Sequence, residues 1–80
     1  MMGAKARFIN NLNKYQLETA EDGAWHLPLG ITVQEVITQS GIEKSGVEDF
    51  GYLVNGSTVF RSYALKDGDE LVFMSAFVGG

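Results

Sequence analysis

The side chains that usually carry enzyme chemistry are sparse in this sequence. There is no cysteine and one histidine, His26. Without cysteine there is no thiol nucleophile, no disulfide and no thiolate metal site. A single imidazole builds no zinc site without several carboxylates. His26 lies on a strand-like stretch beside Pro28 and reads as a surface or half-buried structural histidine rather than a general base. Asp67, Asp69 and Glu70 lack the ligand spacing of a calcium loop and read as a solvated turn. The sequence holds neither a phosphate-cradling G-x-x-x-x-G-K motif nor a dinucleotide fingerprint. What remains is the end of the chain, Ser75-Ala76-Phe77-Val78-Gly79-Gly80. On this composition two terminal glycines arise by chance in roughly one chain in sixty. Here an apolar strand leads straight into them.

The chemistry open to such an end is specific. A C-terminal carboxylate has a pKa of about 3.5 and is an anion at neutral pH, which makes it a poor electrophile. Joined to AMP it becomes a mixed anhydride with a good leaving group. A sulfur donor can then displace AMP and leave a thiocarboxylate, itself a sulfur nucleophile. Six extended residues reach about 20 Å, enough to enter a deep active site on another protein. Glycine has no side chain, so Gly79-Gly80 can thread a channel too narrow for other residues. With no cysteine in the chain, one internal competitor for an activated carbonyl is missing.

The elements that must carry this tail are legible in outline. Lys5 to Asn10 reads as a strand, after which Asn10, Asn11 and Asn13 loosen the pattern. Glu18 to Gly23 reads as a turn. Trp25, Leu27 and Leu29 alternate with His26 and Pro28, a period-two strand with Pro28 at an edge or a strand end. Thr32-Val33-Gln34-Glu35 is a capping box, flanked by Ile31 and Val36 as a hydrophobic staple. Val33, Val36 and Ile37 share one face, and Gly41 is placed to end the helix in the left-handed conformation with Ile42 packing back on Ile37. The spacing predicts a helix over Val33 to Ser40. Tyr52-Leu53-Val54 is a strand, Asn55-Gly56 is a hairpin turn, and Thr58-Val59-Phe60 is the expected return strand. After the turn Asp67-Gly68-Asp69, the last strand runs from Glu70 to Ala76. Leu71 and Phe73 lie on one of its faces and Val72 and Met74 on the other. With both faces apolar, that strand is expected to be central or well covered. Trp25 and the phenylalanines read as core.

Eighty residues fit one domain, 1–80, with 75–80 as a free extended tail. A chain this short buries only about 60% of its unfolded surface, which leaves little room for an internal pocket. One helix across a mixed sheet makes it a two-layer α+β domain. Ten acids against six bases give a net charge of −4. The bases are scattered, so no nucleic-acid partner is expected, and a basic protein partner is easier to accommodate. Met1 to Arg7 has no long apolar stretch, so no signal peptide is expected. Leu71 to Val78 is too short to span a bilayer, so no membrane partner is expected either. A cysteine-free small domain suits the cytoplasm.

Four stretches, in this order, resemble the MoaD/ThiS family of ubiquitin-like sulfur carriers. They are Ile31-Thr32-Val33-Gln34-Glu35-Val36-Ile37 with Gly41-Ile42, then Leu53-Val54-Asn55-Gly56, then Leu65-Lys66-Asp67-Gly68-Asp69-Glu70, then Phe77-Val78-Gly79-Gly80. The first thirty residues match only loosely, around Arg7-Phe8-Ile9. The resemblance implies a ubiquitin-like β-grasp fold and a carrier rather than an enzyme. It implies that a separate ubiquitin-activating-like adenylyltransferase uses ATP to adenylate Gly80, with no cofactor bound to the chain itself. A sulfur donor then forms the thiocarboxylate, and a synthase accepts the sulfur. It also implies docking through a sheet face and the tail: Gly79 threads, and Val72, Met74 and Phe77 are the candidate docking residues. The short spacing from Asn55 to Asp67 is similar to the molybdopterin-synthase small subunit, whose partner would be the large subunit. The Phe77-Val78-Gly79-Gly80 ending, with Ser75-Ala76 where molybdopterin-type tails carry a proline pair, is similar to the thiamine carrier, whose partner would be thiazole synthase. Spacing tips the reading slightly towards molybdopterin. Two other readings share the same end: a protein modifier conjugated to lysines through Gly80, and a non-covalent binding module whose glycines are incidental.

Overall fold

The computed structural model describes residues 3–44 and 50–75. Strand β1 spans Ala4–Phe8, a 3₁₀ helix Asn10–Tyr15, β2 Trp25–Leu27, α1 Val33–Ser40, β3 Phe50–Val54 and β4 Glu70–Ser75. The strands form one sheet in the order β2-β1-β4-β3. β1 and β4 run parallel at its centre, and each outer strand is antiparallel to its neighbour. This mixed sheet with one α-helix agrees with the expected ubiquitin-like β-grasp architecture, and β4 is central, as its two apolar faces require.

Every second residue of the strands faces the core. Ala4, Ala6, Phe8, Trp25, Leu27, Val54, Leu71 and Phe73 are buried together with Val33, Val36 and Ile37 of α1. Phe73 sits at the centre of an aromatic group. Its ring stacks on Phe8 at 4.3 Å between centroids, and Phe50 and Tyr52 approach it from β3. Trp25 packs on the other side of Phe8. Such rings bring the large apolar area that a small domain needs.

The helix begins and ends where its capping residues place it. Thr32 Oγ1 accepts from the Glu35 N–H, and Glu35 Oε1 accepts from the Thr32 N–H. Gly41 takes φ +76°, left-handed backbone that costs glycine little. Four N–H groups at a helix start lack intrahelical partners. Here Thr32 donates to the Glu35 side chain, Val33 to the Tyr63 carbonyl, Gln34 to the Arg61 carbonyl and Glu35 to the Thr32 side chain.

That arrangement explains the main departure from the sequence reading. Asn55 (φ +52°) and Gly56 (φ +83°) do form the expected two-residue turn, closed by paired hydrogen bonds between Val54 and Ser57. Thr58-Val59-Phe60 is no return strand, however: one bridge forms and the chain leaves the sheet. The 61–65 stretch crosses to the start of α1 instead, where its carbonyls meet the helix donors and Leu65 exchanges hydrogen bonds with Gly30 and Ile31. Phe60, expected in the core, is 85% exposed. The sequence reading also lacked the 3₁₀ helix. Leu12, the apolar residue among the asparagines, is buried beneath the sheet's end and draws the segment into a tight turn. Strand β2 stops at Leu27, before Pro28, and Leu29 is half exposed. β4 extends through Ser75, paired with Phe50. The rest of the expected tail, 76–80, lies outside the described residues.

Candidate functional site

Gly80, Gly79 and Phe77, the expected attachment, threading and docking residues of the tail, all lie outside the described residues. The strand that leads to them is described, and its outward face is the candidate site. Because Leu71 and Phe73 are fully buried under α1, alternation turns Val72 and Met74 to the opposite face, where both are half-buried.

The register shows what surrounds them. Val72 stands between Arg7 of β1 and Leu53 of β3. Met74 stands opposite Gly51, where a Cβ would lie 3.8 Å from Met74 Cγ. Glycine at 51 therefore leaves the Met74 side chain uncovered on that side. Ile9 continues β1 by one residue, since its N–H donates to the Phe73 carbonyl, and it is 38% exposed. Leu53, Val72, Met74 and Ile9 thus share one face of the sheet, next to the point where β4 ends. Leu53 and Ile9 were absent from the sequence-based docking set. Alternation counted back from the buried Val54 and Phe8 would have placed both on this face; which strands stand side by side was missing.

The remainder of this face is charged. Arg7 Nε donates to Glu70 Oε2 at 2.5 Å. Towards β2, Asp22 Oδ2 stands 3.0 Å from His26 Nε2 and 3.9 Å from Lys5 Nζ. The Ala24 N–H holds the Asp22 carboxyl below the usual carboxylate range, helped by His26 and Lys5 against the opposing effect of desolvation. His26 is exposed, in line with a surface histidine.

At the other end of β4 the acidic turn is exposed at Asp67, as its composition suggests, but not at Asp69. Asp69 is buried, and its carboxylate accepts from Asn55 Nδ2 (2.8 Å), the Tyr63 hydroxyl (2.8 Å) and the Lys66 N–H (2.9 Å). Burial pushes this carboxyl up, and the three donors outweigh burial and leave it below the ordinary range. The same bond to Asp69 raises the Tyr63 hydroxyl. The network ties the hairpin turn, the crossing segment and the start of β4 into one body. Among the described residues no cluster of three metal-ligating side chains occurs, and no helix is long and apolar enough to cross a membrane.

The geometry therefore offers a fixed body, an apolar strip on the open sheet face, and a strand, β4, whose last residue, Ser75, lies next to that strip. A family model described as the ThiS family matches residues 11–80. No curated protein and no solved structure matches the chain.

Proposed function

The chain belongs to the ThiS family of small sulfur carriers for cofactor biosynthesis, and from that premise we propose that its working group is the backbone carboxylate of Gly80. The observation that carries this reading is that the family match runs through Gly79 and Gly80 themselves, a few residues beyond β4 in the sequence. Family membership implies two successive partners, an adenylyltransferase and a synthase. The adenylyltransferase joins Gly80 to AMP from ATP and releases pyrophosphate. A sulfide-level nucleophile displaces AMP and leaves the thiocarboxylate, whose sulfur the synthase transfers. The chain acts as substrate and carrier, with activation supplied by its partner enzyme, in the cytoplasm.

Docking on the adenylyltransferase uses the strip of Val72, Met74, Leu53 and Ile9, with Phe77 of the tail as an aromatic anchor. Exposed apolar surface of this kind on a small domain usually serves a partner. Of the two pathways, we favour molybdopterin, on the short spacing from Asn55 to Asp67; thiamine thiazole formation is the alternative, on the form of the tail.

The test is incubation with a ThiS-family adenylyltransferase, ATP and sulfide, read by intact mass. The expected product is heavier by one oxygen-to-sulfur exchange, and it is absent when Gly80 is deleted. If that enzyme binds the chain yet yields neither adenylate nor exchange, the reading fails. Higher-mass conjugates in cell extracts that vanish on deleting Gly80 would point to the protein modifier instead. Complementation of strains lacking either the molybdopterin or the thiamine carrier then decides the pathway.

A further inference from the structure

The row that crosses the open face at Leu53 and Val72 is apolar on β3 and β4 and ends on a cation, Arg7 of β1. This guanidinium is held by Glu70 and lies close against Gly23. Its Nε donates to Glu70 Oε2 at 2.5 Å. Its Nη1 occupies space that a side chain at position 23 would contest, since a Cβ there would lie 3.1 Å away. Glu70 is fixed in turn, because its N–H and its carbonyl both pair with Asn55. The Arg7 and Glu70 side chains keep 32% and 38% of their exposure, so the pair is half-buried but open to a partner.

A guanidinium carries five N–H donors in a rigid fork. Among the described residues only the Nε donor of Arg7 has an acceptor. Four donors therefore remain on a positioned cation at the border of an apolar strip. The other basic side chains of this face differ: Lys5 Nζ lies 3.9 Å and His26 Nε2 3.0 Å from Asp22 Oδ2. A partner that covers Val72 and Leu53 strips water from the Arg7 donors. A donor desolvated without an acceptor weakens association. The group that suits two terminal N–H donors in one plane is a carboxylate, gripped end-on by Nη1 and Nη2.

We propose that Arg7 is a specificity-determining residue of the open-face docking surface, pairing with a carboxylate of the adenylyltransferase, an inference that rests on the sulfur-carrier reading. An adenylyltransferase with an apolar group at that point is rejected, because it would bury the fork unpaired.

The experiment measures pyrophosphate release by a ThiS-family adenylyltransferase with the full-length chain, Arg7→Leu, Arg7→Lys and Met74→Asp. Leucine suits a strand and lengthens the apolar strip, so a docking surface that relied on apolar area alone would bind Arg7→Leu as well or better. The expected result is the reverse. Arg7→Leu raises KM about tenfold at unchanged kcat, and the defect shrinks when salt is raised to about 0.5 M, where charge pairs are screened. Arg7→Lys recovers part of the loss, as a point charge without the fork. Melting temperatures show whether each variant is folded. If Arg7→Leu keeps the wild-type KM while Met74→Asp raises it, the face docks without Arg7 and the proposal is overturned. The same holds if the Arg7→Leu defect does not respond to salt. If the wild-type chain is not adenylated at all, the sulfur-carrier reading falls first and takes the proposal with it.

Discussion

The two faces of the sheet are built from alternate residues of the same strands, and they differ in almost every physical respect. On the helix side, Phe8, Leu71 and Phe73 are buried and the rings interlock. On the open side, Arg7, Glu70, Val72 and Met74 are half exposed and combine an apolar strip with an ion pair. On the proposed function, holding the fold together and meeting a partner thus fall to opposite faces of one sheet. Period-two alternation performs the separation, because one register assigns each residue to one face or the other. A change on the closed face should cost stability, and a change on the open face should cost recognition.

The largest effect is expected at the centre of the closed face. Phe73→Ala removes the ring that meets Phe8, Phe50 and Tyr52. Truncating a buried Phe costs about 3–5 kcal/mol, against a total of about 5–15 kcal/mol for a typical domain. Urea titration followed by circular dichroism should show a largely unfolded or severely weakened chain. A midpoint close to wild type would mean that the aromatic group does not organise the core.

Asp69→Asn comes next. It places an amide group against donors from Asn55, Tyr63 and Lys66, and leaving buried polar groups mispaired costs about 1–3 kcal/mol. The carboxyl is held below 3.8 in the folded chain and returns towards that value on unfolding. The unfolded state therefore binds the proton more readily, and the stabilisation is fully present above the unfolded value. It is lost as pH falls through 3.8 and on through the lower folded value. Stability measured between neutral pH and strong acid should fall less steeply in Asp69→Asn than in wild type. Equal slopes would remove Asp69 from the acid response.

The smallest change in stability is expected on the open face. Met74→Ser should shift stability by no more than about 0.5 kcal/mol, as surface substitutions usually do, while raising KM for adenylation several-fold. If Met74→Ser unfolds the chain and spares KM, the two faces do not divide the work as described.

What the sequence determined by itself is what neighbours along the chain decide. The helix from Val33 to Ser40 was legible because the Thr32–Glu35 box and the left-handed Gly41 act within a turn of the chain. The Asn55-Gly56 turn was legible because positive φ is a property of those two residues. Alternation along β4 set Val72 and Met74 apart from Leu71 and Phe73. Tertiary structure decided the rest. The 58–60 stretch holds strand-forming residues, yet the open donors of α1 draw the following segment away from β3. Asp69 looks solvated in a run of acids, yet Tyr63, six residues earlier, and Asn55, fourteen residues earlier, enclose it. The companions of Val72 and Met74 on the open face depend on a register that joins β1, β3 and β4 across long separations. Local propensity fixes a backbone conformation one residue at a time; a binding face needs side chains from several strands, and only the paired sheet brings them together.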